Sequence, residues 1–233
     1  MKMKHHLALH VATAGIATAV ISGQAGADVI TAIDNTANGT NNPAQAWKSL
    51  TSRNWNFLSF TLGESDASIS SMRMALFSTE IRTYDLTWEL YAVDSSNNPA
   101  GVALATDTQS QSLSAGSSNV AYHEYETGGS LASYTMMAGR TYGLLFKSDT
   151  ASATLSWTRT GANHQYETGS SGFSFGSFMR TTNSGDSYTS ISPTTFGLAW
   201  QMNVNTQGSS AVPGIGGVAG IAGVVLLGRR RRR

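Results

Sequence analysis

The chain has 233 residues, no cysteine and a formal net charge of +1. Seven of its 15 basic residues lie at the two ends, so residues 28–212 keep eight of them together with all 14 acidic residues, a net charge of −6. Such an acidic segment argues against nucleic acid as a partner, because phosphate binding requires a basic face. A segment of this length can bury a single core without disulfides.

Residues 1–27 have the three parts of a secretory signal peptide. A basic start is followed by an apolar stretch over residues 7–23, and Ala25-Gly26-Ala27 forms an A-x-A cleavage site before Asp28. An N-terminal membrane helix is the alternative, disfavoured because the apolar stretch is short and ends at a good cleavage site. We therefore expect signal peptidase to cut the signal-peptide helix from the chain after Ala27, leaving Asp28 as the mature N-terminus.

Residues 28–204 are predicted to form one all-β domain. Ser, Thr, Gly and Asn dominate, and short apolar runs alternate with turn residues. In the clearest run, residues 86–93, every second residue is apolar. The other strand candidates are 56–62, 68–77, 120–126, 141–147, 153–159, 173–180 and 195–204. About eight to ten strands separated by loops predict a single β-sandwich of jelly-roll type, with its strands in residues 45–204.

The same alternation predicts the core and the turns of this domain. The expected core residues are Trp88, Leu90, Leu144, Phe146 and Trp200. Asp94–Gly101 is rich in turn residues and is predicted to be a loop. Gly139 permits a positive φ between two strands, after which Tyr142 resumes the inward alternation.

Three segments within residues 45–204 follow one another in a distinctive order. The first is Phe57–Gly63 followed by Ile69–Leu76. The second is Trp88–Asp94 followed by its Asn-Asn-Pro-Ala-Gly loop and by Leu104-Ala-Thr. The third is Met137–Phe146, which leads into Thr154–Trp157. This order resembles the choice-of-anchor domains, extracellular β-sandwiches that occur with several alternative C-terminal anchors. The resemblance implies surface display and no established catalysis.

Residues suited to catalysis or to metal binding are few. His123 and His164 are the only histidines of the mature domain, whereas zinc sites show paired ligands at short spacing. Gly172-Phe-Ser-Phe-Gly176 matches the Gly-x-Ser-x-Gly pattern, but it lies in a β-rich stretch with no following helix, so we interpret it as a chance match. We expect no catalytic residue, no cofactor and no metal site.

Acidic residues form two further patterns. Glu124 and Glu126 share one face of a predicted strand, but glycosidase carboxylates usually face each other from different strands, so we interpret them as surface charges. Asp34–Thr40 resembles a calcium loop only loosely, because the spaced ligands and the final Glu are absent. Calcium binding on a loop stays open.

Aromatic residues raise the hypothesis of a stacking platform for sugar rings. Trp88 and Trp200 sit within strand alternation, and Phe173 and Phe175 share one strand face, which indicates core positions. Trp55 and Tyr166 are flanked by polar residues and are the best exposed candidates. Carbohydrate binding on this basis is an analogy with jelly-roll lectins.

The C-terminal end has three parts after a predicted linker at residues 205–211. Val212-Pro213-Gly214 forms a break, a Gly-rich apolar stretch follows to Gly228, and the chain ends in Arg229, Arg230, Arg231, Arg232 and Arg233. As a transmembrane helix, residues 212–228 span roughly 26 Å, which is short for a hydrocarbon core of about 30 Å. The arginines are expected to remain in the cytoplasm.

This tripartite end resembles the PEP-CTERM sorting signal of exosortase-processed bacterial proteins. The usual motif reads Val-Pro-Glu-Pro, and Gly214 and Ile215 replace its last two residues, so the chain has a Gly-rich variant. The resemblance implies a transient stop in the inner membrane and removal of the tail near Val212–Gly214 by an exosortase-type enzyme. A permanent C-terminal membrane anchor is the alternative.

These features predict a noncatalytic, exported protein of the cell envelope, surface or extracellular matrix of a Gram-negative bacterium. Its expected partners are signal peptidase, an exosortase-type enzyme and the membrane. The alternative is an extracellular carbohydrate-binding or carbohydrate-active β-sandwich protein, with an exopolysaccharide or another glycan as partner.

Overall fold

Thirteen strands and no helix occur in the residues that the computed structural model describes, 28–36, 47–116, 120–158, 167–168, 172–191 and 198–207. The strands are β1 (Asp28–Asp34), β2 (Trp47–Ser49), β3 (Trp55–Thr61), β4 (Ala67–Ser78), β5 (Arg82–Val93), β6 (Pro99–Leu113), β7 (Ala121–Glu126), β8 (Thr141–Ser148), β9 (Leu155–Thr158), β10 (Glu167–Thr168), β11 (Ser174–Thr181), β12 (Thr189–Ile191) and β13 (Trp200–Thr206). The all-β prediction is confirmed for these residues. The helices predicted at residues 1–27 and 212–228 lie outside them.

The strands form two antiparallel sheets. Sheet 1 has the order β10–β1–β13–β4–β9–β2, and sheet 2 has the order β12–β11–β3–β8–β5–β6. In sheet 1, β7 lies on the edge of β4 opposite to β13, because Met74 pairs with both Trp200 and His123. Since β1 pairs with β13, sheet 1 joins the two ends of the domain.

The main core lies between the two sheets. The predicted core residues are all buried, with at most 1% of their surface exposed: Trp88, Leu90, Leu144, Phe146 and Trp200. The ring centroid of Phe146, from sheet 2, lies 4.6 Å from that of Trp157 and 5.7 Å from that of Trp200, both from sheet 1. These contacts across the sheets confirm a β-sandwich with the predicted core.

The turn before β8 has the predicted conformation. Gly139 has a φ of 68°, in the left-handed region that glycine adopts without strain. Tyr142, the second residue of β8, is buried in the core, and its hydroxyl accepts a hydrogen bond from the N–H of Met137 at 2.9 Å. The buried tyrosine therefore also holds the turn.

The prediction of a loop over Asp94–Gly101 is wrong beyond Asn98, because β6 begins at Pro99 and continues to Leu113. This strand lacks apolar alternation: Asp107 and Gln109 lie opposite the core residues Trp88 and Leu86 on the inner face. It forms the edge of sheet 2 and is stabilised by pairing with β5 along its length. Hydrophobic periodicity does not reveal such a strand.

Two further boundaries differ from the prediction. The sandwich begins at Asp28 with β1, ahead of the strands expected from residue 45, because Asp28–Asp34 pairs with β13. At the other end, β13 continues through Thr206, two residues into the predicted linker at residues 205–211. Pairing between distant segments sets both boundaries.

A second cluster of apolar residues covers the outer face of sheet 2. Phe57, Leu145 and Met179 are buried there beneath the partly buried Trp55, Tyr91, Val93 and Tyr188. Gly143 makes room for this outer cluster, since a Cβ atom at that position would lie 1.8 Å from Cζ of Phe57. Because both faces are covered, β3 and β8 are nearly continuous buried runs.

Candidate functional site

The two ends of the domain meet at one pole of the sandwich. Asp28 lies opposite Thr206, and the Thr206 hydroxyl donates a hydrogen bond to the Asp28 carbonyl at 3.2 Å. We call this end the proximal pole. At the opposite end, which we call the distal pole, β3 begins and Trp55 pairs with Thr181. β3 runs from there towards the proximal pole, where β4 begins beside Thr206. The proximal pole therefore carries both ends of the domain, Asp28 and Thr206.

An open cleft of about 680 Å³ lies at the proximal pole, and we call it the proximal cleft. Asp94 and Asn97 of the β5–β6 turn line one side, and Tyr134 and Arg140 of the segment before β8 line another. Tyr134 is half-buried and stands edge-on to Tyr142, with ring centroids 6.5 Å apart. Amide, carboxylate and guanidinium groups around an aromatic ring can bind a sugar. Their convergence from two distant turns is not visible in the sequence.

Asp94 fixes the shape of the turn at this cleft. Its Oδ1 accepts hydrogen bonds from the N–H groups of Ser96 at 2.8 Å and Asn98 at 2.9 Å. Between them, Asn97 has a left-handed φ of 63°. The backbone hydrogen bond from Asn98 is the main cause that holds the pKa of Asp94 below its ordinary value. The carboxylate therefore stays charged, and this wall of the cleft is preformed.

Trp55, a predicted platform for sugar rings, is held within the outer cluster. The side chain is half-buried, and its Nε1 donates a hydrogen bond to the Ser52 carbonyl at 3.1 Å. The Lys147 ammonium lies 5.0 Å from the ring centroid and also pairs with Glu89 at 2.6 Å. An ion-paired cation thus occupies a position over the ring. Tyr166, the other predicted platform, lies outside the described residues.

Two tyrosines lie beside this ion pair. The Tyr91 hydroxyl donates a hydrogen bond to Glu89 at 2.9 Å. Burial, and then this hydrogen bond, raise the pKa of Tyr91, while burial raises the pKa of Tyr188 to about 12. Both hydroxyls therefore remain protonated at neutral pH.

Residues 123–126 on β7 lie in three different environments. Glu124 and Glu126 are exposed, which confirms their interpretation as surface charges. Tyr125 points into the core, with its ring centroid 4.9 Å from that of Trp88. His123 is half-buried, and this burial lowers its pKa. Its predicted companion His164 lies outside the described residues, and within those residues no group of three or more His, Cys, Asp or Glu side chains is placed to hold a metal ion.

The serine and calcium-loop matches have ordinary structural roles where they are described. Ser174, at the centre of the Gly-x-Ser-x-Gly match, begins β11 and is exposed. The chain continues as a strand to Thr181, so the strand-to-helix turn of a nucleophile elbow does not form there. Asp34 accepts hydrogen bonds from the N–H and hydroxyl of Thr36 at 2.7 and 2.8 Å. Residues 37–40 of that match lie outside the described ranges.

Most residues of the predicted export signals also lie outside the described ranges. They are Ala25, Ala27, Val212, Pro213, Gly214, Arg229, Arg230, Arg231, Arg232 and Arg233. Asp28 is described and is the first residue of β1. In the part of the chain that is described, no helix is long and apolar enough to cross a membrane.

The described residues define an all-β domain in which two antiparallel sheets pack as a sandwich, with an open cleft at the proximal pole. No protein-family model, curated protein or solved structure matches the chain. Its function is therefore inferred from its own residues and geometry.

Proposed function

We propose that the protein is a noncatalytic, exported component of the cell envelope or extracellular matrix of a Gram-negative bacterium. A signal peptide directs its export through signal peptidase, and a PEP-CTERM-like tail holds it in the inner membrane for an exosortase-type enzyme. The sandwich is the displayed part, as in the choice-of-anchor domains that it resembles.

The position of the two ends of the domain is the observation that carries this proposal. Asp28, the expected mature N-terminus, is the first described residue of β1, so a chain cleaved after Ala27 keeps all of β1 that the structure describes. β13 ends beside it at Thr206, only a few residues before the sorting motif at Val212. A tail attached there holds the sandwich by its proximal pole and directs the distal pole away from the membrane.

The distribution of charge supports the same orientation. All 14 acidic residues belong to residues 28–212, whereas the tail ends in five arginines. An arginine at the centre of a bilayer costs about 2.5–3.5 kcal/mol, so transfer of the arginine block is strongly unfavourable. The tail therefore stops with its arginines in the cytoplasm while the acidic domain is exported.

We infer further that the sandwich is a jelly roll. Its longer strands lie in the orders β1–β13–β4–β7 and β3–β8–β5–β6. Each order brings together strands from both halves of the chain, which supports a pair of interlocked Greek keys. The β11–β12 hairpin extends sheet 2 beyond β3.

Intact mass spectrometry of the protein isolated from the native cell surface tests the export proposal. We expect a mass that corresponds to a chain beginning at Asp28 and ending near residues 212–214. A surface protein that still begins with Met1 contradicts cleavage by signal peptidase. One that retains Arg233 contradicts sorting and favours a permanent anchor.

Carbohydrate binding is a second candidate function, and the proximal cleft is the observation that favours it. The half-buried Tyr134 offers a ring surface beside Asn97 and Arg140. Titration of the purified chain with neutral oligosaccharides from the native matrix tests this candidate. We expect Tyr134→Ala to abolish binding, and failure of the unaltered chain to bind any of them removes the candidate.

A further inference from the structure

A small cleft opens beside the β11–β12 hairpin, and we call it the edge cleft. Its volume is about 230 Å³, and it is lined by Arg180, Thr182, Ser187, Thr189 and Ile191. Sites for drug-sized ligands occupy about 300–1,000 Å³, so this cleft suits a ligand of about one sugar ring. It lies in the distal half of the sandwich, because Arg180 pairs with Asn56 next to the start of β3.

Arg180 brings a positive charge into this cleft from the inner face of sheet 2. On β11, Phe178 belongs to the main core and Met179 to the outer cluster, so the alternation of the strand turns Arg180 inwards. Its Nη2 donates a hydrogen bond to the Ser49 hydroxyl of sheet 1 at 3.0 Å. Burial lowers the pKa of Arg180, and its buried Nε has no hydrogen-bond partner within the described ranges.

The described carboxylates do not neutralise this arginine. Ion pairs among the described residues join Arg82 to Asp149 at 3.9 Å and Lys147 to Glu89 at 2.6 Å. A partly buried cation is unfavourable unless an anion and hydrogen bonds compensate for the loss of water. A carboxylate matches the planar guanidinium best, because it can accept two parallel hydrogen bonds.

Asn56 provides a second buried polar group on the same face. It lies directly opposite Arg180 in the register of β3 and β11, and such residues have Cβ atoms about 4.5–5.5 Å apart. The side chain is 0% exposed, and neither its Oδ1 nor its Nδ2 has a hydrogen-bond partner among the described residues. A buried amide without partners is destabilising, but Asn56 does not line the edge cleft, so it lies beside Arg180 without reaching the ligand.

We propose that the edge cleft binds a carboxylate carried on a hydroxylated ring, as in a hexuronate residue. Arg180 binds the carboxylate. The hydroxyls of Thr182 and Thr189 supply further hydrogen bonds, and Ile191 packs against the C–H face of the ring. The ligand is a free sugar acid or one residue of an acidic polysaccharide. This site does not depend on the export proposal.

Isothermal titration of the purified full-length chain in detergent tests the proposal. The probes are galacturonate, a galacturonate oligosaccharide, galactose and acetate. We expect galacturonate to bind with a stoichiometry of one and galactose, which lacks the carboxylate, to bind at least about tenfold more weakly. A further gain of tenfold or more for the oligosaccharide identifies a polysaccharide as the source of the ligand, and equal affinity identifies the free sugar acid.

Three variants at the site and one matched control identify the residues. Arg180→Met is expected to weaken galacturonate binding at least tenfold, and Arg180→Lys to weaken it less, since it keeps the charge but loses the planar fork. Arg82→Met is the control, because it removes an exposed arginine from β5, three strands away from β11 in sheet 2. At about 4.8 Å per strand, the two strands are about 14 Å apart. Thr189→Val covers the case in which Arg180→Met fails to fold. It removes a hydroxyl that lines the cleft at an exposed position, so we expect weaker binding with a nearly unchanged melting temperature.

Three results overturn the proposal. The first is no binding of galacturonate by the unaltered chain. The second is binding that survives in both Arg180→Met and Thr189→Val but is lost in Tyr134→Ala, which places the ligand in the proximal cleft. The third is equal affinity for acetate and galacturonate, which shows that the ring contributes nothing.

Discussion

At the scale of single residues, one missing side chain decides how the outer face of sheet 2 is packed. The Phe57 ring lies directly over Gly143 on the neighbouring strand, and Leu145 and Met179 are buried beside it. Any side chain at residue 143 occupies the position of the ring. The outer cluster therefore depends on this glycine for space.

Gly143→Ala is predicted to destabilise the protein by about 2–3 kcal/mol, because Phe57 must leave its position and the outer cluster must repack. Gly139→Ala is the matched control. It has open space around the added methyl group and only the strain of its positive φ, about 1 kcal/mol. Urea denaturation of both variants measures the difference. Equal losses in the two variants contradict the packing explanation.

His123 is predicted to make stability depend on pH. Burial lowers its folded-state pKa below the ordinary value of about 6.5, so the unfolded chain binds more protons as the pH falls through that value. The free energy of unfolding therefore decreases on acidification from about pH 7 to about pH 5. His123→Gln should reduce this decrease, as measured by urea denaturation at both pH values. An unchanged pH dependence in the variant shows that other groups cause it.

At the scale of the elements, β5 connects the most distant parts of the sandwich. It pairs with both β6 and β8 in sheet 2, and its Trp88 packs on Tyr125 of β7 in sheet 1. The polar edge strand β6 has no other strand partner among those described. The burial of Trp88 therefore stabilises the side of the sandwich on which β6 and β7 lie.

Trp88→Ala is predicted to cost about 3–5 kcal/mol, because the ring is fully buried and its removal leaves a cavity between the sheets. Trp55→Ala, which removes a half-buried ring from the outer face, is the matched control and should cost clearly less. Chemical denaturation monitored by far-UV circular dichroism gives both values. A loss for Trp88→Ala no larger than for Trp55→Ala contradicts the structural role of the ring.

At the scale of the whole molecule, the antiparallel pairing of β1 with β13 places both ends of the domain at the proximal pole. The proximal cleft lies at that pole, and the edge cleft lies in the distal half. Under the export proposal, the tail holds the proximal pole at the membrane, so we expect the edge cleft to face away from the membrane and the proximal cleft to face towards it.

Replacement of Arg229–Arg233 by Gln is predicted to prevent retention of the exported chain. Without the charges, the short Gly-rich stretch no longer stops in the membrane, and full-length protein with an uncut tail is released into the medium. Replacement by Lys keeps the charges and should preserve sorting. Fractionation followed by intact mass spectrometry measures both. Normal cleavage and surface display of the Gln variant contradict a stop function for the arginines.

The strands that bury a regular apolar face were predictable from the sequence. The candidates at residues 56–62 and 141–147 match β3 and β8 to within one residue at each end, because these strands are strongly apolar. The candidate at 86–93 ends correctly at Val93 but begins four residues late. The strands β1 and β6 were not predictable, since β1 forms through pairing with the distant strand β13 and β6 through pairing with the preceding strand β5, rather than through their own alternation.

The sequence by itself determined the all-β class, the main core and the acidic character of the domain, because these depend on composition and local periodicity. Only the tertiary structure decided which polar residues share a site. Asn56 and Arg180 become neighbours through the register of β3 and β11, and Tyr134 and Asp94 line one cleft because their turns lie at one pole. Such contacts arise from backbone hydrogen bonds between strands far apart in the chain, which side-chain pattern alone does not specify.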